Sequence, residues 1–173
     1  MFDRLFDIII GFWESLLPFI VVAEYERAVV LRLGRPRRIL NPGFHFIIPF
    51  VESTLSDNVV PRTNWTTQQT GLTKDNKVVS VEMIMTWRIE DIRKALLEVE
   101  RLDDAIRDTY VGVIGDAIAS HNFEQLNDRS FLNKIKRDCK KKAERFGVLV
   151  EDINIAEIVL CRSAIRLVGN IGG

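Results

Sequence analysis

The sequence predicts an α+β domain, an antiparallel-type sheet with segregated helices, preceded by an N-terminal membrane helix. Three observations carry this expectation. Strand-period alternation and turn signals fill the first half, most clearly at Val78–Ile89. Apolar spacing changes to the helical period between Ile92 and Phe146, then returns to strand character at Val148–Leu160. The strongly apolar stretch of the chain lies within residues 1–23.

That first segment is close to a transmembrane helix and a poor one. About 20 apolar residues are needed to cross the hydrocarbon core, and the run from Ile8 to Val22 is interrupted by Gly11, Glu14, Ser15 and Pro18. A carboxylate at mid-bilayer costs several kcal/mol. On a helical wheel of about 100° per residue, Asp3, Asp7 and Glu14 fall within roughly 40° of one another. The rest is largely apolar, with Phe2, Phe6, Ile9, Phe12, Trp13, Leu16, Leu17, Pro18 and Phe19 as the residues expected to insert, and with Pro18 bending or ending the helix. This shape suits a segment lying in the interface or dipping into one leaflet. A single span and a buried soluble helix remain alternatives. The acidic n-region and the lack of a small-x-small site argue against a cleaved signal peptide.

Beyond the anchor, Ala28–Leu33 reads as a strand, with a turn at Gly34-Arg35-Pro36. Asn41-Pro42-Gly43 is a second turn signal, followed by a short apolar strand, Phe44–Ile48, stopped by Pro49. Residues 61–71 are polar and Thr-rich, a strand with loops, and Asp75-Asn76 marks a tight turn. In the next strand Val79, Val81, Met83, Met85, Trp87 and Ile89 alternate with the other face.

Asp91 is expected to cap a short helix over 92–99. A longer helix, about 101–120, carries Leu102, Ala105, Ile106, Tyr110, Val113, Ile114 and Ala117 on one face. A third starts near Asp128, presents Phe131, Leu132, Ile135, Cys139, Ala143 and Phe146, and ends at Gly147. Strands and helices largely segregated along the chain describe an α+β domain. The expected organisation is a membrane-inserting segment at 1–23, one domain at 24–165 and a short tail at 166–173.

The chain has 173 residues, with 24 Lys plus Arg and 24 Asp plus Glu, so its net charge is zero. That balance gives no support to nucleic-acid binding. Locally the charge is uneven. Residues 90–116 hold eight acids and four bases, and residues 128–145 hold eight bases and three acids. Either these are two solvated helix faces, or they meet between neighbouring copies in a head-to-side ring. In the second case Asp103, Asp104, Asp108, Lys136, Lys140 and Lys141 are candidates for an oligomer interface.

No catalytic, cofactor-binding or metal-binding site is expected. The two histidines, His45 and His121, read as structural, and Cys139 falls on an apolar helix face as a small buried hydrophobe. Cys139 and Cys161 form no disulfide framework and match no metal spacing, which reads as reduced thiols on the cytosolic side.

Five segments carry a resemblance. Glu24-Tyr25-Glu26-Arg27-Ala28-Val29-Val30-Leu31-Arg32-Leu33-Gly34-Arg35 and Asn41-Pro42-Gly43-Phe44-His45-Phe46-Ile47-Ile48-Pro49-Phe50 are the first two. Thr73-Lys74-Asp75-Asn76 with the strand after it, Phe123-Glu124-Gln125-Leu126-Asn127-Asp128-Arg129, and Phe146-Gly147-Val148 through Ile158 follow in order. Together they resemble the stomatin/prohibitin/flotillin/HflK-C (SPFH, band 7) family, in a stomatin-like form. The resemblance implies a membrane-associated, homo-oligomeric scaffold that organises local lipid and protein composition. Its partners would be membrane lipids and a membrane-embedded AAA+ protease or channel, with the domain on the cytoplasmic side of a peripheral or monotopic protein. Family members continue into a long Ala/Glu-rich coiled coil, whereas Ile153–Val168 carries no sustained heptad. The expectation is therefore a member lacking that segment. It would assemble through domain and anchor, or dock into a longer relative's ring as a regulatory module.

Overall fold

The computed structural model describes residues 19–65 and 68–161. Phe2, Phe6, Ile9, Phe12, Trp13, Leu16, Leu17 and Pro18, expected to insert into a membrane, lie outside the described residues, as does the tail. Among the described residues no helix is long and apolar enough to cross a membrane. The chain forms two compact units, one of residues 19–60 with 89–100 and one of residues 61–88 with 101–161.

In the first unit, β1 (Phe19–Val22) pairs antiparallel with β4 (Gly43–Phe46). Phe19, expected in the membrane-inserting helix with the three residues after it, is therefore in a strand. An unbroken apolar run hides the strand period, and Pro18 marks where helix-compatible sequence stops. The second sheet has the order β3-β2-β5, built from β2 (Glu26–Arg32), β3 (Arg35–Leu40) and β5 (Glu52–Asn58). Alternation assigns the faces. Ala28, Val30 and Leu40 are buried with Val22 and Ile20 in one small core. On the other side of the sheet the helix α1 (Ile92–Leu97) packs on β2 and β5 and buries Ile92 and Ala95. Asp91 caps it as expected, accepting from the N–H groups of Arg93 (3.0 Å) and Lys94 (3.2 Å).

In the second unit the long strand β8 (Val78–Ile89) is the spine. The polar stretch 61–71 resolves into β6 (Arg62–Trp65), pairing with 84–87, and β7 (Gln69–Leu72), pairing with 78–81. β9 (Val148–Leu160) also pairs with β8. The helices α2 (Leu102–Ala119) and α3 (Arg129–Ala143) pack on each other, with α2 against β7 and α3 against β9. Val79, Val81, Met83, Met85 and Trp87 are buried, in agreement with the alternation read from sequence. So are Leu102, Ile106, Tyr110, Val113, Ile114 and Ala117 of α2, while Ala105 is only half-buried. On α3, Phe131, Ile135, Cys139 and Ala143 are buried; Leu132 and Phe146 are half-buried. Gly147 closes the helical run at φ +72°, a left-handed position that suits glycine.

Candidate membrane interface

The outer face of the first unit is apolar where water should favour polar groups. In the β1–β4 register Phe19 opposes Phe46 and Val21 opposes Phe44, so these four side chains share one face. Ile20 and Val22, pointing the other way, enter the core. Phe19 and Phe44 lie 5.1 Å apart between ring centroids, and Phe44 and Phe46 meet edge-on at 5.3 Å. All four outward residues are exposed, Phe46 by 67%. The exposure continues along the chain at Ile48 and Phe50. An exposed apolar cluster of this kind on a protein surface marks an interaction site.

Two further residues sharpen the assignment. Leu33 and Phe50 are 78% and 84% exposed, and both hold positive φ, +49° and +65°. Leu33 and Gly34 form the two-residue turn between β2 and β3, a geometry that prefers Asn or Gly at its first position. A bulky apolar side chain is uncommon in the left-handed region and carries a conformational cost. Here two such side chains are presented to solvent. The Leu33 N–H donates to the Val51 carbonyl at 2.9 Å, so the two tips are neighbours.

A buried carboxylate holds this edge in shape. The Glu52 side chain is 2% exposed, and its Oε2 accepts from Arg38 Nη2 at 3.2 Å and from the Ile48 N–H at 3.1 Å. Arg38 Nη2 also donates to the Phe46 carbonyl at 2.6 Å. One ion pair thus fixes both ends of the segment running from β4 to β5. In sequence Phe44–Ile48 reads as a short apolar strand stopped by Pro49, and nothing in its spacing shows which side faces outward.

The second unit carries the charged residues expected at an oligomer interface. Asp103 pairs with Arg62 at 3.7 Å, and Asp104 pairs with Arg101 and with Arg107, the latter at 2.6 Å. Lys136 donates to Asp152 at 2.8 Å, and that contact, with a hydrogen bond from Asn154, holds the Asp152 carboxyl below its ordinary range. Asp116 on α2 reaches Lys142 on α3 at 3.9 Å, so the acidic and basic runs meet within one chain. Asp108, Lys140 and Lys141 are exposed and make no salt bridge among the described residues.

The titratable groups elsewhere in this unit are structural. Thr73 donates to Asp75 at 2.7 Å and the Phe123 N–H donates to it at 2.9 Å, and these contacts with Lys77 hold its carboxyl at about 2. The turn is thereby stitched to the segment before α3. Burial pushes the Cys139 thiol up to about 12, and burial also raises the Tyr110 hydroxyl well above the usual phenol range. Neither group is prepared for nucleophilic work. His121 donates through Nδ1 to the Ala117 carbonyl, and in the first unit His45 donates through Nε2 to the Asn41 carbonyl, both backbone contacts. Among the described residues no group of three His, Cys, Asp or Glu side chains is placed to hold a metal ion.

Comparison with known proteins agrees with this architecture. Residues 20–169 match the SPFH domain / Band 7 family. An uncharacterized protein of Methanocaldococcus jannaschii is 31% identical over 152 residues, covering 87% of this chain and 76% of the relative. A stomatin homolog of Pyrococcus horikoshii is 32% identical over 145 residues, 81% of this chain and 53% of the relative. The protein HflK of Haemophilus influenzae is 38% identical over 88 residues, 51% of this chain and 22% of the relative. The chain thus spans about half the length of the stomatin homolog and less of HflK. With the family match running through nearly all of both units, the chain belongs to the SPFH domain / Band 7 family.

Proposed function

We propose that this chain is a membrane-anchored oligomeric scaffold protein that organises a membrane microdomain and its protein partners. The observation that carries the reading is the exposed aromatic face of β1 and β4, which begins at Phe19, inside the apolar N-terminal run. Within residues 1–23 the part before β1 supplies the anchor, residues 24–165 are the SPFH domain, and residues 166–173 a short tail. The protein is peripheral or monotopic, with the domain on the cytoplasmic side, where free Cys139 and Cys161 are at home. It acts by binding and not by catalysis, in keeping with a buried thiol and carboxylates engaged in structural contacts.

Exposed Asp108, Lys140 and Lys141 support self-association through complementary faces; Asp103, Asp104 and Lys136 contribute less because they are paired within the chain. Likeness to HflK favours a second reading, a regulatory module that controls a membrane AAA+ protease or co-assembles with a larger SPFH complex. Single-particle electron microscopy of the full chain in mild detergent separates the two. Closed rings or cages are expected for the scaffold. Small particles that enlarge only with a partner favour the regulator, and a strict monomer at all concentrations refutes the scaffold.

A further inference from the structure

The β2–β3 hairpin sets two like charges side by side. Arg32 and Arg35 are directly opposed across it, flanking the exposed Leu33, and opposed like charges weaken a strand pair. The carboxylate across the sheet from Arg32 is Glu52, which is already taken by Arg38 and the Ile48 N–H. Arg37 and Arg93 line a groove of about 240 Å³ with Arg38 and Ile39. Among the described residues, Arg32, Arg35, Arg37 and Arg93 make no salt bridge. Glu26, Arg27 and Asp57 sit at the start of β2 and the end of β5, while Arg32 and Arg35 sit at the opposite end, beside Leu33 and Phe50.

We infer that this end of the first unit recognises anionic phospholipid. Arg32 and Arg35 flank the Leu33 tip and take headgroup phosphates at the surface that the apolar residues enter. The inference rests on the membrane reading above and adds a lipid class to it. The chemistry is complementary in each part. Guanidinium groups bind phosphate oxygens in a bidentate fork. Long basic stems lie along apolar surface while the charge stays at headgroup level. The strain of opposed arginines is relieved by a bound anion. An acidic protein surface would satisfy the charges but not the exposed Leu33 and Phe50, which is why a lipid surface is the occupant.

The test is a competition. The full chain is diluted from detergent into an equal mixture of phosphatidylcholine vesicles and phosphatidylcholine–phosphatidylglycerol vesicles that separate by density. The anchor contributes to both populations, so the ratio between them isolates the headgroup preference. Each arginine near an anionic surface contributes about fivefold, so Arg32→Gln with Arg35→Gln lowers the preference for phosphatidylglycerol by roughly 25-fold. Arg32→Lys with Arg35→Lys retains most of it, which separates charge from folding. Salt near 1 M abolishes the preference, because screening then acts over about 3 Å. An even distribution of the natural chain, or a preference that the glutamine variant leaves intact, overturns the inference while the membrane face stands. Failure to associate with either population overturns the membrane reading itself.

Discussion

The aromatic face makes a quantitative prediction once the anchor is removed from the measurement. Replacing Ile9, Trp13 and Leu16 together with Glu is expected to release the chain from stable insertion, leaving only what the folded face contributes. Fully withdrawing a Phe side chain from water stabilises by about 1.5–3 kcal/mol. Phe44 and Phe46 are 56% and 67% exposed, so a little over half of each ring is available to a bilayer. Together they supply about 2–3.5 kcal/mol of partitioning, a factor of roughly 30 to 300. Adding Phe44→Ser and Phe46→Ser to the triple variant is therefore expected to lower its vesicle partition coefficient by that factor, measured by flotation over a range of lipid concentrations. Both substitutions are at solvent-facing positions, and far-ultraviolet circular dichroism checks that the strands persist. A partition coefficient unchanged within a factor of three would refute the claim that this face meets lipid. If the triple variant itself still pelleted with membranes after a high-pH wash, the anchor assignment would be wrong.

Two further predictions concern the second unit. The Asp75 carboxyl is depressed to about 2 in the fold, so its contribution is present at and above the usual carboxylate range and is lost as pH falls from about 4 towards 2. Asp75→Asn is expected to flatten that part of the acid-unfolding profile and leave the profile above pH 5 parallel to the natural chain's, while an unchanged acid limb would show that the Thr73–Asp75–Phe123 contacts do not hold the turn. Cys139, buried and with its thiol raised to about 12, is expected to resist alkylation at pH 8 until the unit unfolds, whereas half-buried Cys161 reacts in the native protein. Peptide mapping by mass spectrometry after timed labelling checks the order, and equal rates would contradict the packing of α3.

What the sequence discloses depends on how each element gains its stability. β8 alternates because one face is buried, so its period is written in Val79, Val81, Met83, Met85 and Trp87. The Asp91 cap and the Gly147 stop are local chemistry and are equally readable. β3 is different. Arg35-Pro36-Arg37-Arg38 carries no apolar alternation because it is an edge strand, where charge and proline discourage further pairing. β5 is nearly all polar and is held by pairing with β2, with a carboxylate as its buried side chain. The candidate interface shares this limit. Its phenylalanines are visible in sequence, but outward exposure follows only from the pairing of Phe19 with Phe46, a contact between strands far apart in the chain.

Glu52 gives the interface one more property. Because its carboxylate ties the Ile48 amide and, through Arg38, the Phe46 carbonyl, the apolar edge has its shape before it meets any surface. Docking then forfeits little conformational freedom, and the edge engages or releases as a unit, without a folding step. In the oligomeric scaffold proposed above, residence on a bilayer would depend on how many such edges are joined, since linked weak contacts multiply. A cell could regulate attachment by regulating assembly, with no change in the edge itself.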